Sequence, residues 1–166
     1  MAPADQRPIW LTSLGQTVYE NLNPFWLYCE TAGATPSCTV LFYEREQKAQ
    51  KERVVKGLAT IAGKFAAKRM EIECIDFDDE DVSGFVEITQ GVFKKAKGDK
   101  LSVIVDISPT TYSFVPVNLV RMAGDFSGAV ASVVYLQYGE HRFRQRPYAL
   151  VPRLCITAHD LLKGLR

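Results

Sequence analysis

The chain has 166 residues, 47% hydrophobic and 23% charged, which suits one globular core of ordinary domain size and excludes a disordered chain. Its 20 Lys and Arg nearly cancel its 19 Asp and Glu, for a net charge of +1; bulk charge of this kind does not hold long duplex DNA. The four cysteines include no Cys-x-x-Cys pair, the amino terminus has no basic-then-apolar signal, and the most apolar window, Phe126 to Leu136, is too short to cross a membrane. The sequence therefore predicts reduced thiols and a soluble, cytoplasmic protein without membrane contact.

In chain order, Pro8 to Thr12 reads as a first strand, followed by the polar stretch Ser13-Leu14-Gly15-Gln16-Thr17. Asn23-Pro24 has the form of a helix entrance, a capping side chain before a proline, and predicts a helix from there to Ala32, closed by Gly33. Thr39 to Tyr43 is rich in β-branched and aromatic residues and predicts a second strand. A long basic helix is expected from Arg45 to about Arg69, with Val54, Leu58, Ile61, Phe65 and Ala66 on one face.

Glu71 to Phe77 alternates charged and apolar residues, as a strand near a sheet edge does, and Val82 to Ala96 follows as a helix. Leu101 to Ile107 is a continuous apolar run suited to the centre of a parallel sheet. Ser113 is expected to cap a helix reaching Ala123, and Ala129 to Tyr138 completes a fifth strand. From Arg142 onward six cations (Arg142, Arg144, Arg146, Arg153, Lys163 and Arg166) face one acid, Asp160. The whole is read as one domain, residues 1–166, with a core of about 8–138 and a basic extension at 139–166.

Alternation of strand-length and helix-length segments predicts an α/β domain with a mainly parallel sheet of five or six strands. In such sheets ligands bind beyond the carboxyl ends of the strands, where the strand order reverses. The loops after the first and fourth strands are both polar and small: Ser13, Leu14, Gly15, Gln16 and Thr17 in one, Ser108, Pro109, Thr110, Thr111 and Tyr112 in the other. Hydroxyls, loop amides and a helix amino terminus are the donors that phosphate and ribose oxygens accept from, so the pair points to a nucleotide-like ligand; alternatively, the serines and threonines only cap helices.

Several chemistries lack their motifs. Neither Gly-x-Gly-x-x-Gly after the first strand nor Gly-x-x-x-x-Gly-Lys-Ser/Thr occurs, and Gly-x-Ser-x-Gly is missing too. His141 and His159 are the two histidines, without the spacing of a zinc site, and no cofactor or metal is expected. The cluster Asp76, Asp78, Asp79, Glu80 and Asp81 has Asp81 where a calcium loop needs glycine, and reads as a solvated loop ahead of a helix. Phe25-Trp26-Leu27-Tyr28 fits core packing or a subunit interface. Arg142, Arg144 and Arg146 alternate as on one face of an extended strand, either reaching phosphates or guarding a solvated edge.

Taken together, Leu11-Thr12-Ser13-Leu14-Gly15, Leu41-Phe42-Tyr43-Glu44 before a basic helix, and Val105-Asp106-Ile107-Ser108-Pro109-Thr110-Thr111-Tyr112 make residues 8 to 138 resemble the CARF domain. That family comprises Rossmann-like, three-layer sensors of cyclic oligoadenylates in type III CRISPR antiviral defence. The resemblance implies a homodimer with the ring, most commonly cyclic tetra-adenylate, lying across the two-fold axis on the loops 13–17 and 108–112. Pro109, Thr110 and Tyr112 stand where the family often has two glycines and a lysine.

Some stand-alone members are metal-independent ring nucleases, in which a ribose 2′-hydroxyl attacks the adjacent phosphate. In that alternative Ser13 orients the ribose, and Arg142 or Arg144 takes over the charge stabilisation of the missing lysine. A third reading is a Rossmann-like interaction protein whose polar loops bind no nucleotide.

Overall fold

Strands form where β-branched and aromatic residues run together, and helices where apolar residues recur every three or four positions. In the computed structural model, which describes residues 7–65, 70–109 and 114–163, the strands are β1 (Ile9–Ser13), β2 (Cys38–Glu44), β3 (Glu71–Phe77), β4 (Val103–Asp106), β5 (Val130–Tyr138) and β6 (Ile156–Asp160). The α-helices are α1 (Val18–Ala32), α2 (Lys48–Phe65), α3 (Val82–Gly98) and α4 (Val115–Asp125). One sheet holds all six strands in the order β3-β2-β1-β4-β5-β6. Every pairing is parallel except β5 with β6.

Successive side chains of a strand point to opposite faces, and here both faces are covered. Leu11, Val40, Phe42 and Val105 meet Phe85 and Phe93 of α3 and Leu119 and Met122 of α4. Their neighbours Trp10, Leu41 and Ile104 meet Phe25 and Cys29 of α1 and Val54, Leu58 and Ile61 of α2. This is a Rossmann-like, three-layer α/β fold, and burial on both faces explains why the central strands read as continuous apolar runs. Phe85 is the hub of one layer, with its ring 4.8 Å from that of Phe77, 5.2 Å from Phe42 and 5.4 Å from Phe114.

β3 lies at an edge, as its charge alternation predicts, with Glu71, Glu73 and Asp76 exposed. In the acidic loop after it, Asp81 caps α3 by accepting the Gly84 amide at 2.8 Å, and Asp76 pairs with Arg45 at 2.9 Å. Phe25 belongs to the core, whereas Trp26, Leu27 and Tyr28 are half-buried. All four cysteines are free, and burial pushes the Cys29 thiol up to about 12.

Four expectations are corrected. α1 begins at Val18 rather than at Asn23, and Pro24 lies inside it; the Asn23 amide, far from capping a helix, donates to Tyr138 Oη at 3.0 Å and to the Arg146 carbonyl at 2.9 Å. α4 starts at Val115 after Phe114, one residue later than a Ser113 cap implies, while Ser113 itself lies outside the described residues. Arg142 and Arg144 sit in a 3-10 turn, His141–Gln145, rather than on an extended strand, because the chain leaves β5 there and turns back toward α1, where Phe143 is buried and the Arg144 carbonyl accepts the Thr17 hydroxyl. The basic extension is not a tail beyond the core: turns at Tyr148–Leu150 and Arg153–Cys155 lead into β6, which pairs with β5.

Candidate functional site at the strand-order reversal

From β1 the chain steps through α1 to β2 on one side, and from β4 through α4 to β5 on the other, so the crevice beyond Ser13 and Asp106 is the point where strand order reverses. The two loops expected to form a site meet there. A Cβ added to Gly15 would lie 3.2 Å from Pro109 Cβ and 2.6 Å from Glu20 Oε2, so glycine is what lets the first loop pass between the second loop and α1.

Beneath the crevice Thr12 and Asp106 are register partners, and the Thr12 hydroxyl donates to Asp106 Oδ2 at 3.0 Å. The Ser108 amide donates to Asp106 Oδ1 at 2.9 Å. Asp106 has no exposed surface, and burial raises its carboxyl to about 7 against the opposing pull of its hydrogen bonds from Ser108 and Thr12. This carboxyl ties the ends of β1 and β4 together and sets the course of the second loop. The Ser108 hydroxyl is itself engaged, accepting the Leu136 amide at 2.9 Å.

The first loop is held from α1 and α2. Asn21 accepts the Gly15 amide at 2.8 Å and donates to the Ser13 carbonyl at 2.7 Å. Glu20, buried, accepts the Gln16 amide at 2.9 Å, and Gln50 of α2 donates to the Gly15 carbonyl. Two amides that a phosphate would seek are thus already paired within the protein. Thr17 begins α1 without a side-chain cap; its hydroxyl donates instead to the Arg144 carbonyl at 3.3 Å, which brings the 3-10 turn of residues 141–145 against the loop.

Of the residues the sequence singles out, Ser13 (2% exposed) and Leu14 (1% exposed) are buried at the strand end, Gly15 and Pro109 are buried where the loops touch, and Gln16 faces solvent. Thr110, Thr111 and Tyr112 lie outside the described residues. Of the two arginines, Arg144 is drawn to the loop through its backbone, whereas Arg142 is held by Glu140 at 2.7 Å. Ser108 also lines a cavity of about 350 Å³ between α1 and the β4–β5 side of the sheet, with Leu27, Tyr28 and Val134 in its apolar wall. Trp10 reaches that wall from the core, its ring packed against Phe25 and Tyr28, and its buried Nε1 has no hydrogen-bond partner.

Glu20, Asn21, Gln50 and Asp106 are not among the site residues read from the sequence. A signal for the first of them exists: Thr17-Val18-Tyr19-Glu20 has the Ser/Thr-x-x-Glu pattern of a helix start and would have placed Val18 correctly. Nothing local marks Gln50, which arrives from another helix.

No family model and no curated protein matches this chain. Among the described residues, no group of three or more His, Cys, Asp or Glu is arranged to hold a metal ion, and no helix is long and apolar enough to cross a membrane.

Proposed function

We propose that the chain is a CARF-type sensor domain that binds a cyclic oligoadenylate as a homodimer, in type III CRISPR antiviral signalling. The observation that carries this reading is the meeting of the β1–α1 and β4–α4 loops, at Gly15 and Pro109, over the strand-order reversal. Gln16 presents an exposed polar side chain at the mouth of that crevice, and a mainly apolar cavity large enough for a base, with His159 and Lys163 also in its lining, opens beside Ser108. Because the Gly15 and Gln16 amides are paired internally, recognition falls to side chains and to the second loop rather than to a cradle of backbone amides.

A second reading, a metal-independent ring nuclease, is favoured by the hydrogen bond from the Thr17 hydroxyl to the Arg144 carbonyl, which sets the backbone of that arginine against the first loop. Ser13, buried in the strand end, is poorly placed to orient a ribose in that reaction.

The test is incubation of the purified chain with synthetic cyclic tetra- and hexa-adenylate without added metal, followed by native mass spectrometry and chromatography of bound, intact and cleaved ligand. A dimer carrying one intact ring is the expected result, weakened about tenfold by Gln16→Glu, which sets a negative charge at the mouth. Linear products over many turnovers, abolished by Arg144→Ala, would establish the nuclease instead. If neither ring binds, the resemblance is architectural and the proposal is wrong.

A further inference from the structure

On the outer surface, away from the sheet, α1 and α2 enclose a groove of about 430 Å³ that the proposed nucleotide site does not use. Its floor is apolar: Val18, Leu22 and Trp26 of α1 face Ile61 of α2, and Pro147 closes one side. The helices approach closely at Gly57, where an added Cβ would lie 2.5 Å from Leu22 Cδ1. The trough is therefore part of the helix packing itself and not a gap left by a mobile loop.

The rim has one sign of charge. Arg53 and Lys56 line the groove, are exposed, and make no ion pair or hydrogen bond through their side chains among the described residues. Lys64 adds a third cation, its Nζ 4.5 Å from the centre of the Trp26 ring. No carboxylate lines the groove. Of the carboxylates close by on the two helices, Glu52 precedes Arg53 on α2 and is exposed outside the lining, and Glu30, one turn beyond Trp26 on α1, is occupied by the Tyr148 hydroxyl at 2.8 Å and by Arg153 at 3.2 Å.

An apolar trough between two helices, edged by Arg53 and Lys56 without ion-pair partners among the described residues, complements a helix with an apolar stripe and acidic flanks. We infer that the α1–α2 groove is a docking site for an acidic amphipathic helix of a partner protein. The partner's apolar side chains at i, i+3 or i+4, and i+7 enter beside Leu22 and Trp26, and its carboxylates meet Arg53 and Lys56. Single-stranded nucleic acid fits less well, since a base stacking on Trp26 would have to displace Lys64, whose Nζ lies 4.5 Å from the ring centre, whereas an aliphatic side chain needs only the partly exposed ring surface that lines the groove.

The experiment uses the full chain and three fluorescent probes: a synthetic helical peptide with leucines at i, i+3, i+4 and i+7 and glutamates on its flanks, the same peptide with lysines for glutamates, and a single-stranded RNA of mixed sequence. Polarisation gives affinity, and amide chemical shifts give location. The acidic peptide is expected to bind, to shift amides in 18–26 and 53–61, and to weaken about tenfold in Arg53→Glu/Lys56→Glu, two exposed positions whose reversal leaves the thermal melt in place. Absence of binding at about 1 mM peptide overturns the inference. Equal binding of the lysine peptide, or RNA displacing the acidic peptide from the same amides, overturns it as well.

Discussion

β3 and β6 close the two edges of the same sheet, but they are held by different means. β3 is delivered by the 18-residue α2, whose Val54, Leu58 and Ile61 are buried against β2 and α1, and its end packs through Phe77 into the Phe85 ring cluster. β6 is delivered by residues 139–155, a run of 3-10 turns in which Phe143 and Val151 are the buried apolar anchors; elsewhere it is pinned by polar contacts to α1 from Arg144, Arg146, Tyr148 and Arg153. Burial of apolar area scales with what is removed from water, whereas exposed hydrogen bonds and ion pairs return little net stability. The β6 side is therefore the part that opens first, although both edges belong to one sheet.

The largest effect is expected on the β3 side. Phe85→Ala removes the hub of that layer and should cost about 3–5 kcal/mol, lowering the urea midpoint for the whole domain. If only the edge strand lost protection, the cluster would not be the common support described above.

Phe143→Ala should act differently, because the loss is capped by the free energy of opening the segment alone and so stays below the roughly 3–5 kcal/mol of a core phenylalanine. Hydrogen exchange is expected to quicken in 139–162 while the amides of β1, β2 and β4 keep their protection. Uniform loss across the sheet would erase the contrast between the two edges.

Asp106 stands at the junction of the two halves and makes the contrast dependent on pH. Its folded-state pKa of about 7 lies above the ordinary carboxylate value, so its contribution to stability is fully present below about pH 4. As pH rises the unfolded chain ionises first, and the contribution falls by about 1.4 kcal/mol per pH unit until the folded pKa is passed near pH 7. Asp106→Asn keeps an acceptor for the Ser108 amide and cannot ionise. It should therefore be more stable than the native chain at pH 8, with the difference shrinking toward pH 4, as read from urea midpoints at the two pH values.

The smallest effect is a gain. Lys100 has φ of 55°, the left-handed conformation that ends α3, where the Leu101 amide reaches back to the Ala96 carbonyl at 2.9 Å and the Lys100 amide to that of Lys97. Lys100→Gly relieves that backbone and should stabilise the domain by about 0.5–1 kcal/mol, seen as a small rise in Tm with β6 unaffected.

Legibility followed the same division as stability. β2, β4 and α2 were readable because burial on both faces, or on one stripe, leaves a local apolar pattern. Asn23-Pro24 misdirects the reading of where α1 starts because an interior proline forfeits a backbone hydrogen bond and crowds the preceding turn, a cost of about 3 kcal/mol that burial of Pro24 and Phe25 offsets here, while the informative Thr17-x-x-Glu20 pattern lies upstream. β6 carried no pattern long enough to separate it from a polar tail: Ile156 and Thr157 are its only β-branched residues.

By itself the sequence determined the α/β alternation, the central position of β4, the edge position of β3 and the pair of polar loops beyond β1 and β4, since each follows from burial acting on neighbouring residues. The tertiary structure alone decided that Glu20, Asn21 and Gln50 occupy the first loop's backbone groups, that Asp106 is sealed beneath the crevice, and that residues 139–160 fold back over α1 into the sheet. Those features depend on side chains brought together across turns and from separate helices, and no short-range pattern in the chain encodes such a meeting.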